Sequence, residues 1–185
     1  GADWQGMGLQ AALVAPRPRY ALSALSATVD RGQGYASGIH ETAVIDATAQ
    51  IGANATIGPL SVIGASVIIG NDAVIGPQCT IGTGSVIGHK VYLREGVRIG
   101  ADVIIGDNFI AQPGATVGAD GFSFVTKEVS AVEVARDSLG TADIESKGQE
   151  WARIHSLAGV IIGDDVELGA QCCVDRGTVK PTKIG

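Results

Sequence analysis

IHETAVIDATAQIGANATIGPLSVIGASVIIGNDAVIGPQCTIG (39–82) obeys a six-residue rule. Counting from Ile39 lands on Ile45, Ile51, Ile57, Ile63, Ile69, Ile75, Ile81 and Ile87. The count continues through Leu93, Ile99 and Ile105, slips to Ala111 and recovers at Val117. Gly follows most of these positions, and a smaller residue such as Ala55, Ser61, Val67, Ala73 or Cys79 sits two places before each. A period of six matches neither an amphipathic helix nor a heptad. It matches one short flat strand per hexad followed by a corner, so that three strands close a triangular coil. The fold class is therefore all-β, a parallel β-helix.

Each slot has a physical reason. The aliphatic slot points inward and stacks on its counterpart in the next coil, about 4.8 Å away, each burial contributing about 1.5–3 kcal/mol. The slot two residues earlier also points inward, because strand side chains alternate. Gly after the aliphatic either takes φ > 0 or lets neighbouring coils approach closely. Asn54, Asn71, Asp72, Lys90 and Asp107 face water. Ile68, Val86 and Ile104 fall one residue before inward positions, so they stack outside one wall as an apolar column fit for a partner surface.

The rest of the chain departs from the rule. Residues 11–15 (AALVA) read as a short strand. A helix begins at Pro18, with Leu22, Leu25 and Val29 on one face, and ends near Asp30. A segment that short cannot bury a core alone. After Val117 the period stops at GADGFSF (118–124). A polar excursion with weak helical character over 128–139 runs to Trp151, and hexads resume at Ile162, Leu168 and Val174. The expected segments are 1–38, an appendage and linker; 39–118, coils; 119–159, the excursion; and 160–185, coils resumed. Phe122, Phe124 and Trp151 are three of the five Phe and Trp residues, and loops leaving a rigid scaffold tend to carry function.

A net charge of −6 offers no basic surface for nucleic acid or anionic membrane. No apolar run approaches the ~20 residues of a membrane span, and no signal peptide is visible. Cys79 and Cys172 fall in inward slots and Cys173 faces out, a pattern of reduced thiols in a cytosolic protein rather than a disulfide framework.

GADGFSF (118–124), Trp151, VIIGDDVELGAQCCVDRGT (160–178) and Pro18-Arg19-Tyr20 resemble the UDP-3-O-(3-hydroxyacyl)glucosamine N-acyltransferases of lipid A synthesis. The resemblance implies a cytoplasmic homotrimer of left-handed β-helices, an exception to the right-handed crossover rule, with a small α/β N-terminal appendage that holds uridine. The implied reaction moves a 3-hydroxyacyl group from the phosphopantetheine thioester of acyl carrier protein to the 2-amino group of a UDP-acylglucosamine, with no metal and no other cofactor. Arg19 and Tyr20 would hold the uracil, and Asp120, Phe122 and Asp175 would bind substrate. Arg17 stands where the family usually has Asn. The family's N-terminal domain is longer than the residues before Ile39, and its general-base His lies in a later coil beyond Gly185.

An amine attacking a thioester must lose a proton, which an imidazole is suited to take; an N–H aimed at the oxyanion completes such a site. His40, His89 and His155 read as solvated or capping, His155 being the one on the excursion. A γ-type carbonic anhydrase needs three converging His, but His40 and His89 are not a whole number of coils apart and His155 lies off the prism. The related O-acyltransferase carries His-Arg-Gly-Thr where this chain has Asp175. A non-catalytic scaffold, the remaining alternative, would not require the excursion.

Overall fold

The computed structural model describes residues 3–143 and 148–185 and divides into two compact units, Gly1–Tyr35 and Ala36–Gly185. In the first, α1 (Pro18–Val29) starts with proline at its first turn, where the absent N–H would have had no helical partner. It ends where the Asp30 N–H donates to the Ser26 carbonyl. No residue of α1 is buried. Residues 11–15, expected as a strand, form no ladder, since a strand needs a second one to satisfy its backbone groups and the described residues of this unit offer none. Leu13 and Val14 instead line a cleft of about 630 Å³ with Trp4, Leu22 and Leu25.

The second unit is the left-handed parallel β-helix of hexapeptide repeats. Two six-stranded sheets and one five-stranded sheet form its walls, every neighbour in each parallel. Ile51 pairs with Ile69, Ile69 with Ile87, Ile87 with Ile105, Ile105 with Ile162 and Ile162 with Ile184. That is the predicted interior column, and it runs on past the excursion. Partners 18 residues apart become partners 57 apart, yet the column does not break. The small inward slot holds Val67, Ala73, Cys79, Val91 and Val97, all fully buried. The hydroxyls of Ser61 and Ser85, also buried there, donate to the Gly76 and Gly100 carbonyls and accept from the Cys79 and Val103 N–H groups, which removes the cost of an unpaired polar atom.

From Gly52 to Gly106, close approach is the role the glycine slot plays, none of these slot residues taking positive φ. A Cβ on Gly70 would lie 2.5 Å from the Gly88 carbonyl oxygen, and one on Gly82 would lie 2.5 Å from the Ala101 nitrogen. Positive φ falls two residues later, at the corner itself: Asn54, Leu60, Ser66, Asp72, Gln78 and Lys90 all lie between +54° and +58°. Leu60 is the poorest fit to this left-handed geometry, which suits Asn far better. Leu60→Asn, at an exposed site, is expected to raise stability by about 1 kcal/mol, read as an increased urea midpoint.

One corner carries a ladder of side-chain caps. Asn71 Oδ1 accepts from Ala53 N–H, His89 Nδ1 from Asn71 N–H, Asp107 Oδ1 from His89 N–H, and Asp164 Oδ1 from Asp107 N–H. Each coil thereby caps the turn of the coil before it. On the opposite face of a wall strand, Ile68 and Ile104 remain 41% and 47% exposed, with Val86 and Ile161 half-buried in the same outward row.

The cysteines divide by environment. Cys79 is buried, and burial pushes its thiol up to about 11 from 9.0; Cys173 is exposed. A thiol reagent at pH 8 is expected to label Cys173 in the native protein and Cys79 only on unfolding. The folded thiol holds its proton more tightly than the unfolded one. The Cys79 contribution is therefore complete below about pH 9 and declines as pH rises toward 11.

Candidate functional site

The site is built on a register slip. The strand Thr116–Asp120 runs parallel to Cys173–Arg176. Thr116 pairs with Cys173 and Val117 with Val174, but the next pairs are Ala119 with Asp175 and Asp120 with Arg176. Gly118 is the extra residue, at φ +84°, as expected of a bulge that re-aims a strand. A Cβ there would also meet Val103 Cγ2 at 2.8 Å. The bulge thus lays the GADGF segment directly beside the Asp-Arg-Gly segment.

The excursion then folds back on this junction. Phe124–Thr126 and Trp151–Arg153 form an antiparallel pair, Phe124 opposite Arg153 and Thr126 opposite Trp151. Between them lies α2 (Ala131–Asp137), started by a reciprocal capping box of Ser130 and Glu133. Those bonds hold the Glu133 carboxyl below the usual carboxylate range, Ser130 N–H contributing first. On the return, the hydroxyl of buried Ser156 accepts from Gly121 N–H at 3.3 Å. A Cβ on Gly121 would sit 3.9 Å from Asp175 Oδ2, so that carboxylate edges the same narrow space.

The Asp-Arg-Gly turn is held from both sides. Arg176 Nε donates to the Ala158 carbonyl at 2.8 Å, and its Nη2 lies 4.0 Å from Asp102 Oδ2. Thr182 Oγ1 donates to the Asp175 carbonyl at 2.7 Å. Ala158 N–H donates to the Gly177 carbonyl, and a Cβ on Gly177 would run into the Lys180 carbonyl.

Beside this junction, Phe122, Phe124 and Trp151 line an open pocket of about 360 Å³. The two Phe rings are 5.0 Å apart and tilted by 59°, a favourable aromatic arrangement. Phe122 is 93% exposed, so its ring is offered to solvent or a ligand.

The structure therefore gathers Asp120, Phe122 and Asp175 into one region. Arg19 and Tyr20 lie in the first unit, where the Tyr20 ring is exposed and the Arg17 guanidinium lies 6.0 Å from its centre. The histidines sit apart in role: His40 Nδ1 bonds within its own turn to Thr42, His89 belongs to the corner ladder, and His155 is exposed beside Ser156. Two residues escaped the sequence reading. Ser156 gives no sequence signal at all. Arg153 is discernible only once the strand is known, as the residue two beyond Trp151 on the same face.

A family model described as bacterial transferase hexapeptide (six repeats) matches residues 48–83. Across all 185 residues the chain is 60% identical to the UDP-3-O-acylglucosamine N-acyltransferase of Ruegeria pomeroyi. It is 57% identical, again over 185 residues, to the protein of the same name from Paracoccus denitrificans. The matches cover 51% and 50% of those two proteins, so the chain spans about half the length of the curated relatives it matches. The solved UDP-N-acetylglucosamine acyltransferase of Francisella novicida shares 25% identity over 75% of this chain and 45% of its own, with a TM-score of 0.44. The resemblance read from the sequence is thus shown along the whole chain.

Proposed function

We infer that this chain, matched end to end by UDP-3-O-acylglucosamine N-acyltransferases, is part of such an enzyme. Its reaction moves a 3-hydroxyacyl group from acyl carrier protein to the 2-amino group of UDP-3-O-acylglucosamine in lipid A synthesis, in the cytoplasm. The observation that carries this reading is the bulge at Gly118, which lays Ala119 and Asp120 beside Asp175 and Arg176 and brings Gly121 against the Asp175 carboxylate.

The chemistry assigns the parts. The amine nitrogen attacks the thioester carbonyl carbon, the C–N bond forms, the C–S bond breaks, and the thiolate leaves on phosphopantetheine. The amine proton passes to a general base, by resemblance a His in a later coil of the whole enzyme. The Asp175 carboxylate, set against Gly121, orients the incoming amine. Tyr20, exposed on α1 behind Pro18 and Arg19, stacks on the uracil. The outward column of Ile68, Val86 and Ile104 is the surface on which three copies assemble; replacing Ile68 and Ile104 with Lys would shift the native mass from trimer toward monomer.

The test uses the whole enzyme with 3-hydroxyacyl carrier protein and follows free thiol. UDP-3-O-acylglucosamine, with its free amine, should support release. Release with UDP-N-acetylglucosamine instead would transfer the protein to O-acylation. Tyr20→Ala should weaken nucleotide-sugar binding by about 1–3 kcal/mol; unchanged affinity in a folded variant removes Tyr20 from the site.

A further inference from the structure

Among the described residues the pocket is lined by Phe122, Phe124 and Trp151, rings that offer no carboxylate, amide or hydroxyl. A diphosphate or a sugar placed there would leave its polar groups unpaired, at a cost. A hydrocarbon chain would not, and a pocket of about 360 Å³ lies at the small end of ligand pockets. It suits a chain rather than a nucleotide sugar.

A charge stands against one of these walls. Arg153 lies opposite Phe124 across the strand pair, with its guanidinium carbon 5.4 Å from the centre of the Phe124 ring. Its Nη2 lies 3.4 Å from Asp120 Oδ2, and its side chain is 36% exposed. A guanidinium has five N–H donors in a fixed fork, and Asp120 engages only one of its nitrogens. The ion pair and the Phe124 ring hold the guanidinium beside one wall of the pocket, with donors that Asp120 does not engage. A plain hydrocarbon would have no use for such a donor. A chain bearing an oxygen near its polar end would use both features at once.

We propose that Arg153 is a specificity-determining residue, which donates to the hydroxyl of a 3-hydroxyacyl chain seated among Phe122, Phe124 and Trp151. The proposal rests on the N-acyltransferase reading for the nature of the chain. That chain has two sources in the reaction, the thioester donor and the ester already carried by the acceptor sugar, and both present the same chemistry.

The binding test needs no turnover. The whole enzyme is titrated with N-acetylcysteamine thioesters of 3-hydroxydecanoate and decanoate, probes without a carboxylate that could pair with Arg153 by itself. Trp151 emission, obtained by difference from a Trp151→Phe variant, reports occupancy. The hydroxylated probe should bind about tenfold tighter, as for a hydrogen bond to a charged group. Arg153→Met should erase that preference while still binding both probes, and Arg153→Lys should restore part of it. Damage to the fold alone would weaken both probes alike.

In turnover, removing the hydroxyl from the donor chain or from the acceptor chain identifies the source, because only the chain that occupies the pocket loses its Arg153-dependent preference in KM. Equal binding of both probes to the wild type, a preference that survives in Arg153→Met, or no Trp151 response overturns the proposal. Discrimination by binding without any N-transfer leaves Arg153 in place and overturns the enzymatic reading instead.

Discussion

Ile69→Asp is expected to unfold the β-helix. Ile69 is 2% exposed and sits between Ile51 and Ile87 in the interior column. Its neighbours along the column are all isoleucines, so a carboxylate there must either carry an uncompensated charge or take up a proton. The cost should reach at least about 4 kcal/mol, a large part of what a domain has to lose. The outward neighbour provides the control. Ile68→Asp lies one residue away in the same strand, 41% exposed, and should change the stability of the isolated chain by under about 1 kcal/mol. Thermal melts of the two variants read the inside-outside alternation directly. Similar melting temperatures would contradict the interior column.

Gly177→Ala should act the other way round, with a smaller effect on stability than Ile69→Asp and a large one on activity. The new methyl would meet the Lys180 carbonyl, which is backbone and cannot rotate aside. The turn that presents Asp175 and Arg176 must then shift, along with Ala158, whose N–H donates to Gly177. The turn lies outside the column of stacked aliphatics, so melting should suffer by about 1–3 kcal/mol. A displacement of about 1 Å at reacting groups, however, can cost 10²-fold in rate. In the whole enzyme, kcat should fall by about that factor while the circular dichroism spectrum is retained. Full activity in a folded Gly177→Ala enzyme would separate the Asp-Arg-Gly turn from the chemistry.

The hexads made the prism legible because each slot answers to one strong constraint. An aliphatic at Ile57 or Ile75 must be buried, and a glycine at Gly70 must let the next backbone pass. The corner was less legible. Left-handed φ is tolerated by residues as different as Asn54, Leu60 and Lys90, so composition does not mark it, whereas the glycine slot two residues earlier is marked by its recurrence. At the site, GADGF and Asp-Arg-Gly stood out as motifs. Their adjacency did not, because it depends on strands 57 residues apart pairing through a bulge. The strand pair that carries Phe124 and Arg153 was invisible for a related reason: two three-residue strands separated by a helix carry too little pattern to register.

The corner caps give the stack a mechanical grain. Every cap from Asn71 to Asp164 reaches toward the preceding coil, and every wall strand bonds only to the coils directly above and below. Under tension applied at the two ends, no shear plane crosses several coils together, so the chain should peel like thread from a spool. Each coil of 18 residues would release about 60 Å of contour, giving a regular sawtooth at low force. The excursion interrupts that rhythm with one long step, because a partner spacing of 57 residues releases about 200 Å. A force trace would therefore place the excursion within the stack, by counting the regular steps before the long one.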